Sequence, residues 1–400
     1  MKVNELSIYE DLLRLPGLKI ERIEPSDRRI MIYGCVDEGP QPCPNCGEPT
    51  DVVRQYTNRE IRDLDISGRQ VWLHLQMKQY ECSTCRRYFT QRLSWADSGK
   101  SYTKRQAKFI FEMCEHQAFA QVGALVDMHA KCVERLYLEQ ASQQCPTQER
   151  LHRVRRLGID ELSYRKGKRS YCCVLTDLDR GVHVDILPDR KKETLRAYFQ
   201  ALGPGWCGQI EGVSCDMWSP YIEVAEEFFP QATISIDRFH VVVLLNKVLD
   251  RFRRHLRKVR PQENAFKHLK WQLFKRSEKL SQTERQSLEQ ALTHCRELRQ
   301  MYDLRNSFHQ IFDEQTEHWS AYLQLNKWIE QVQQSNASQF WQPFLSTLTN
   351  WKGYILNYVQ TGLTNAATEG LNNIIRHIKR ISFGIPNFEH LRLRVLCRMA

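Results

Sequence analysis

Two cysteine pairs, Cys43-x-x-Cys46 and Cys82-x-x-Cys85, constrain this chain more than any other feature. Turn residues flank both, Pro42, Pro44 and Gly47 around the first and Ser83, Thr84 and Arg86 around the second, so each reads as a knuckle. Four thiolates in two knuckles are the ligand supply of a tetrahedral zinc ion, and the spacing predicts a structural Zn2+ site in a small β-rich fold. Cys35 has no close partner and reads as core. A secreted disulfide scaffold does not fit. Such scaffolds are short, whereas this chain has 400 residues, and many of its other cysteines lie in apolar runs such as Tyr171-Cys172-Cys173-Val174.

The charge points to a partner class. With 58 Lys+Arg against 47 Asp+Glu, the net charge of +11 favours a polyanion, because every phosphate neutralised releases condensed counterions. Nucleic acid is the expected partner. The N-terminal leucines Leu12, Leu13, Leu15 and Leu18 are interrupted by Glu5, Glu10, Asp11 and Arg14, unlike a signal peptide, and no apolar run is long enough to cross a bilayer. A soluble cytoplasmic protein is expected.

Five segments follow from the pattern. Residues 1–97 read as the zinc-ribbon domain: short strands over Arg29–Cys35 and the alternating run Val71–Met77, with Asp63, Asp65 and Gly68 as turn material of a hairpin inserted between the knuckles. Residues 98–150 switch to helical spacing, with a break at Gly123 or at Asp127-Met128-His129. A second helix beginning near Ala130 would present Lys131 and Arg135 to the major groove in a helix-turn-helix. An ordinary three-helix spacer has the same pattern.

Residues 151–258 hold short apolar runs at Leu157–Asp160, Ser170–Thr176, Val182–Leu187, Ile210–Cys215 and Ala232–Ile236, with helices over Glu193–Leu202 and Pro220–Phe229. Three antiparallel strands, then helix, strand, helix, strand, is the order of an RNase H-like core. Residues 259–346 read as an all-helical insertion, and 347–400 as the C-terminal part of the core, with a patterned helix over Thr364–Lys379. The run Arg251–Arg260 contains six Lys or Arg residues and suits contact with phosphate. The expected fold is multidomain α/β, a zinc ribbon and a helix-turn-helix followed by an RNase H-like core interrupted by helices.

In that topology the first and fourth strands lie side by side, each ending in an aspartate, Asp160 and Asp216, so the two carboxylates converge at one sheet edge. Hard oxygen ligands suit Mg2+, and a third carboxylate from a late helix, Glu369, completes a two-ion site, with Mn2+ able to substitute. Each acid has another reading. Glu161 could be the ligand instead of Asp160, although neighbouring strand residues face opposite ways and only one can reach the site, and Asp216 could cap the helix after it. Asp177, Asp179, Asp185 and Asp189 are weaker candidates. In Asp237-Arg238-Phe239-His240 an Asp and a His share one face of an opening helix, suited to supporting the site or touching DNA. Trp218 suits stacking on an unpaired base or core packing.

The ordered set Gly158-Ile159-Asp160-Glu161, Arg165-Lys166-Gly167, Val213-Ser214-Cys215-Asp216-Met217-Trp218, Ile236-Asp237-Arg238-Phe239-His240, Asn365–Asn373 and Ser382-Phe383-Gly384 resembles bacterial insertion-sequence transposases of the ISL3 type. The resemblance spans almost the whole chain, including Arg62-Asp63-Leu64-Asp65 and Thr90-Gln91-Arg92-Leu93. Lys78-Gln79-Tyr80 stands where the family has arginines before the second cysteine pair. It implies a DDE transposase with Asp160, Asp216 and Glu369 as its metal-binding triad. Asp237, His240, Trp218, Lys131, Arg135, Arg376 and Lys379 are the accompanying candidates for DNA contact or support. Double-stranded DNA would be the partner, both the terminal inverted repeats of the element and its target, held by a homodimer. The other readings are a DNA-binding regulator that does no chemistry and a nuclease that cuts without joining.

Overall fold

The computed structural model describes residues 5–145, 147–165, 170–261, 266–314, 317–383, 385 and 387–398. Lys166, Gly167 and Gly384 of the motifs above fall outside these. The chain forms two compact units, Met1–Cys145 with Arg380–Ile385, and Pro146–Lys379 with Pro386–Ala400. No helix among the described residues is long and apolar enough to cross a membrane.

The first unit runs α1 (Glu5–Leu13), β1 (Leu18–Pro25), β2 (Arg29–Val36), β3 (Gln41–Pro42), β4 (Pro49–Thr50), β5 (Val53–Ile66), β6 (Arg69–Glu81), β7 (Tyr88–Thr90), α2 (Lys104–Cys114), α3 (Phe119–Leu125) and α4 (Ala130–Gln144). Its main sheet has the order β1-β2-β6-β5, with β7 added to β6. Alternation builds it. Val71, Leu73, Leu75 and Met77 of β6 are fully buried and pack with Ile20, Ile30, Ile32 and Ile61, while the intervening residues face out. The expected hairpin is present, but the turn is Ser67-Gly68, both at positive φ. Asp63 is therefore not turn material. It lies in β5, fully buried, where the hydroxyl of Thr103 and the Arg105 guanidinium satisfy its carboxylate; Asp65 also lies in β5, paired with Arg62.

The last two of the three helices divide at Val126–His129, Asp127 adopting φ 50, and α4 begins at Ala130 with His129 as its N-cap. Gly123 lies inside α3, where a Cβ would come within 2.5 Å of the Met128 carbonyl. Glycine there permits close approach of the turn rather than making it. Lys131 and Arg135 are exposed on α4.

The second unit runs α5 (Thr147–Leu151), β8 (Arg156–Arg165), β9 (Ser170–Asp177), β10 (Val182–Leu187), α6 (Lys192–Leu202), α7 (Pro204–Cys207), β11 (Gly212–Cys215), α8 (Ser219–Phe228), β12 (Thr233–Ile236), α9 (Arg238–Val259), α10 (Lys270–Phe274), α11 (Gln282–His294), α12 (Arg296–Glu314), α13 (His318–Gln333), α14 (Ser338–Thr361), α15 (Ala366–Ile381) and α16 (Phe388–Cys397). The sheet order is β10-β9-β8-β11-β12, antiparallel across the first three strands and parallel from β8 to β12. One core lies against this sheet, from Leu157 and Ile159 to Phe199, Tyr221 and Phe229. A second gathers α9 to α14 around Phe308, Trp328, Trp341 and Phe344.

Two sequence expectations shift. Asp160 does not end its strand, because β8 keeps pairing with β9 as far as Arg165; what ends beside it is the parallel pairing with β11. The expected boundary at 346/347 falls inside α14, which runs unbroken through Pro343 to Thr361 and binds the last insertion helix to the segment leading to Glu369.

Candidate active site

Register puts three aspartates in one row. Ile159 pairs with Cys215 and Cys215 with Ile236, so the next residues on the three parallel strands are Asp160, Asp216 and Asp237. Asp216 does not cap α8, whose N-cap is Trp218. Asp237 occupies the N-cap position of α9 but makes no side-chain cap bond; its carboxylate accepts from the Thr364 hydroxyl, 3.1 Å away.

Glycine lets the late helix reach this row. A Cβ on Gly158 would lie 2.8 Å from Thr368 Oγ1 and from Leu178 Cδ2, so the first turn of α15 sits directly on β8. Asn365, at the mouth of that helix, donates to the Ile159 carbonyl at 3.2 Å, and buried Asn372 donates to Asp160 Oδ2 at 2.7 Å. Gly158→Ala is expected to push α15 off the strand. The expected result is a loss of about 1–3 kcal/mol in thermal unfolding.

The electrostatics follow from this crowding. Burial, then the charges of Asp216 and Glu369, raise the Asp160 carboxyl to about 6. Burial alone would lower the His240 imidazole, but its hydrogen bond to Asp216, and then the fields of Asp216, Asp237 and Asp160, hold it above its ordinary value. Asp237 Oδ2 lies 4.0 Å from the same ring nitrogen. Glu369, 56% exposed, turns its carboxylate to Arg376 at 2.8 Å, and Arg376 also bonds Asn373. Lys379 donates to the Ser163 carbonyl at 2.6 Å. Glu161 is taken by Arg190, whose guanidinium also lies 4.7 Å from the Trp218 ring and 4.6 Å from that of Tyr171. Trp218 is 40% exposed, not core. Asp177 bonds its own turn, Asp179 pairs with Arg156, Asp185 with Arg392, and Asp189 bonds Lys191 and Thr194.

The donor set suits a hard divalent cation: oxygen ligands on adjacent strands, with the Asp160 carboxyl raised first by burial and then by the charge of Asp216, a repulsion that a cation would relieve. Among the described residues, however, only the four knuckle cysteines have three or more ligand atoms within 4.8 Å of one another. Glu369 is drawn aside by Arg376 and would have to turn inward to join the two aspartates.

The knuckles are built alike. Gly47 N–H donates to the Cys43 carbonyl at 2.9 Å and Arg86 N–H to that of Cys82 at 3.0 Å; Cys43 and Cys82 donate in turn to Glu48 and Arg87. Gly47 and Arg86 both have positive φ. Sulfur separations of 3.6 Å (Cys43 to Cys85) and 3.5 Å (Cys46 to Cys82) approach the ~3.8 Å edge of a tetrahedron with zinc–sulfur bonds of about 2.3 Å. The Arg87 amide and the Asn45 side chain lower the Cys85 thiol to about 6, favouring the thiolate that zinc binds. Cys35, half-buried, is no part of the cluster.

Comparison with known sequences decides the family. A profile described as transposase matches residues 157–395, and one described as the zinc-finger of transposase IS204/IS1001/IS1096/IS1165 matches residues 39–85. The chain belongs to the ISL3 family of transposases. It is 29% identical over 397 residues to the transposase for insertion sequence element IS1001 of Bordetella parapertussis, covering 97% of each chain. It is 30% identical over 263 residues to the transposase for IS1557 of Mycobacterium tuberculosis (strain CDC 1551 / Oshkosh), covering 59% of this chain and 58% of the relative.

The protein is thus a DNA transposase with a zinc-ribbon region whose four cysteines suit a structural zinc ion. Four polar residues around the transposase's acidic row escaped sequence reasoning: Arg190, Thr364, Asn365 and Asn372. The asparagines stood within the quoted motif Asn365–Asn373, and their spacing of seven, two helical turns apart on one face, was the available signal.

Proposed function

We propose that Asp160, Asp216 and Glu369 bind two magnesium ions, with manganese able to substitute, in an RNase H-like core, and that this site cleaves the ends of an insertion sequence and joins them to target DNA. The observation that carries the reading is the side-by-side placement of Asp160 and Asp216 on neighbouring parallel strands, with the first turn of the helix bearing Glu369 seated on Gly158. The strand order supports the RNase H-like assignment. When bound, the ions would activate the attacking oxygen and stabilise the leaving oxygen of an in-line phosphoryl transfer.

The chain's own residues hold and balance that site. Asn372 fixes one oxygen of Asp160, leaving its face toward Asp216 defined. His240 balances the charge of Asp216, and Thr364 orients Asp237. Arg190 neutralises Glu161 and keeps it out of the acidic row. Arg376 partners Glu369 until that carboxylate turns inward, and then lies where a DNA phosphate can replace it; Lys379 is held at the same edge by Ser163. Trp218, half-exposed beside Asp216, offers its free surface to an unpaired base.

In the first unit α3 and α4 meet at the short turn around Asp127 with Lys131 and Arg135 exposed, which supports a helix-turn-helix reading of the terminal repeats. The proposed segments remain 1–97, 98–150, 151–258, 259–346 and 347–400, the last two sharing α14. Two ends must be held together, so a homodimer is the working assembly on DNA.

The test is incubation with duplex ends bearing the element's own repeats, with and without magnesium, scoring nicked and joined products. Magnesium-dependent nicking followed by joining is expected. Nicking without joining would leave a nuclease, and binding without either product a regulator.

A further inference from the structure

We propose that the solvent face of α9 is a track for the phosphate backbone of the DNA end as it leaves the acidic row, with Lys247, Arg251 and Lys258 as its phosphate contacts. The proposal rests on the reading of the site above and extends it to substrate positioning.

The sequence of α9 divides cleanly by face. Val241, Leu245, Val248, Leu249, Phe252 and Leu256 are buried in the helical core. Lys247, Arg251, Arg254 and Lys258 recur at steps of four, three and four residues, so they share one side of the helix, and all are exposed. The basic run is not uniform, and the structure sorts it. Arg253 is buried, bonded to Asp250 and to the Phe266 carbonyl, and is a packing residue. Arg254 is partly neutralised by Asp250 at 3.1 Å. Lys247, Arg251 and Lys258 have no carboxylate within salt-bridge distance among the described residues.

That arrangement is unusual for a helix that merely faces water. Solvated helices commonly alternate charge signs at i and i+4, whereas Asp250 is the only acid in the 22 residues of α9 and both neighbouring arginines claim it. The unpaired row spans about 16 Å of helix axis, just under half of a ~34 Å turn of B-DNA. Its position gives it direction. The first turn of α9 holds His240 against Asp216, and Lys247 follows about 10 Å along the axis. A backbone lying on this face would enter or leave the acidic row at its Asp237 end, past Asp216.

The experiment measures binding in a full-length Asp160→Asn background, where the end is not expected to be cut, using a duplex bearing the terminal repeats across a sodium chloride series. Lys247→Gln/Arg251→Gln/Lys258→Gln is expected to weaken binding at least about tenfold at low salt. It should also reduce the slope of log affinity against log salt by about 2–3, each lost phosphate contact contributing ~0.9. The control Lys279→Gln/Arg285→Gln/Arg296→Gln removes the same charge elsewhere in the second unit and should change the slope by less than about 1. An unchanged slope in the α9 variant, or an equal loss in the control, would overturn the track. Cleavage retained by Asp160→Asn would instead overturn the site reading and leave the slopes to stand by themselves.

Discussion

Asp160→Asn is expected to abolish end cleavage, by a factor of at least about 10³, while making the metal-free protein more stable. The stabilisation follows from the direction in which Asp160 is perturbed. Burial and the charges of Asp216 and Glu369 raise its carboxyl from 3.8 to about 6 in the folded chain. Between those values the folded state binds more protons than the unfolded one, so stability is fully present below pH 4 and is lost as pH rises through 6. At pH 7 the ionised group destabilises the metal-free fold by on the order of 2–3 kcal/mol. An amide carries no such charge, and its one oxygen can still accept the Asn372 hydrogen bond, at the loss of the Glu161 N–H bond that the second carboxylate oxygen accepts. Melting without added magnesium or manganese, at pH 5 and pH 7.5, checks this: wild type should lose stability between the two, and the variant should lose less. Magnesium should stabilise the wild type at the higher pH and leave the variant unmoved.

The second large effect concerns the knuckles. Cys82→Ser, or prolonged chelation of zinc, is expected to release the segments 37–52 and 82–90 without unfolding the sheet beside them. Structural zinc in small domains contributes apparent binding energies of about 10–16 kcal/mol, far more than the turns it closes can supply. The β1-β2-β6-β5 sheet has its own core, from Leu18 through Ile32, Leu73 and Met77 to Trp95, and is expected to stand without the metal. Amide exchange should therefore rise at Gly47 and Arg86, whose N–H groups close the two knuckles, and stay protected at Leu73 and Leu75. Specific binding of the terminal repeats should fall with it. Rapid exchange throughout β6 would mean that the metal holds the whole sheet.

Features set by local chemistry were legible in the chain; those set by packing were not. The knuckles showed because cysteine spacing and turn residues are themselves the structure. The strands around Ile159 and Cys215 showed because short β-branched runs bounded by turns leave few alternatives. Asp63 misled because an aspartate in the charged stretch Arg62-Asp63-Leu64-Asp65 looks like a turn, and only the folded unit brings Thr103 and Arg105 to its carboxylate. The role of Gly158 was invisible for the same reason: its partner, Thr368, lies two hundred residues away. The helix bearing Glu369 could be read from its apolar periodicity, yet its attachment could not. Asn365 and Asn372 bond groups on β8; their spacing of seven puts them on one face, but it does not say which strand that face meets. The helical run that suggested phosphate contact was a mixture, and only burial separates Arg253 from Lys247, Arg251 and Lys258.

The most direct test of the account is cleavage of the element's own ends by wild type, Asp160→Asn, Asp216→Asn and Glu369→Gln in parallel, with magnesium, at protein concentrations where each still shifts the DNA. Wild type should release a 3′-hydroxyl at the repeat boundary, and all three variants should release none despite normal binding. Cleavage at the wild-type rate by any one of them would show that the three acids do not form a single reaction centre.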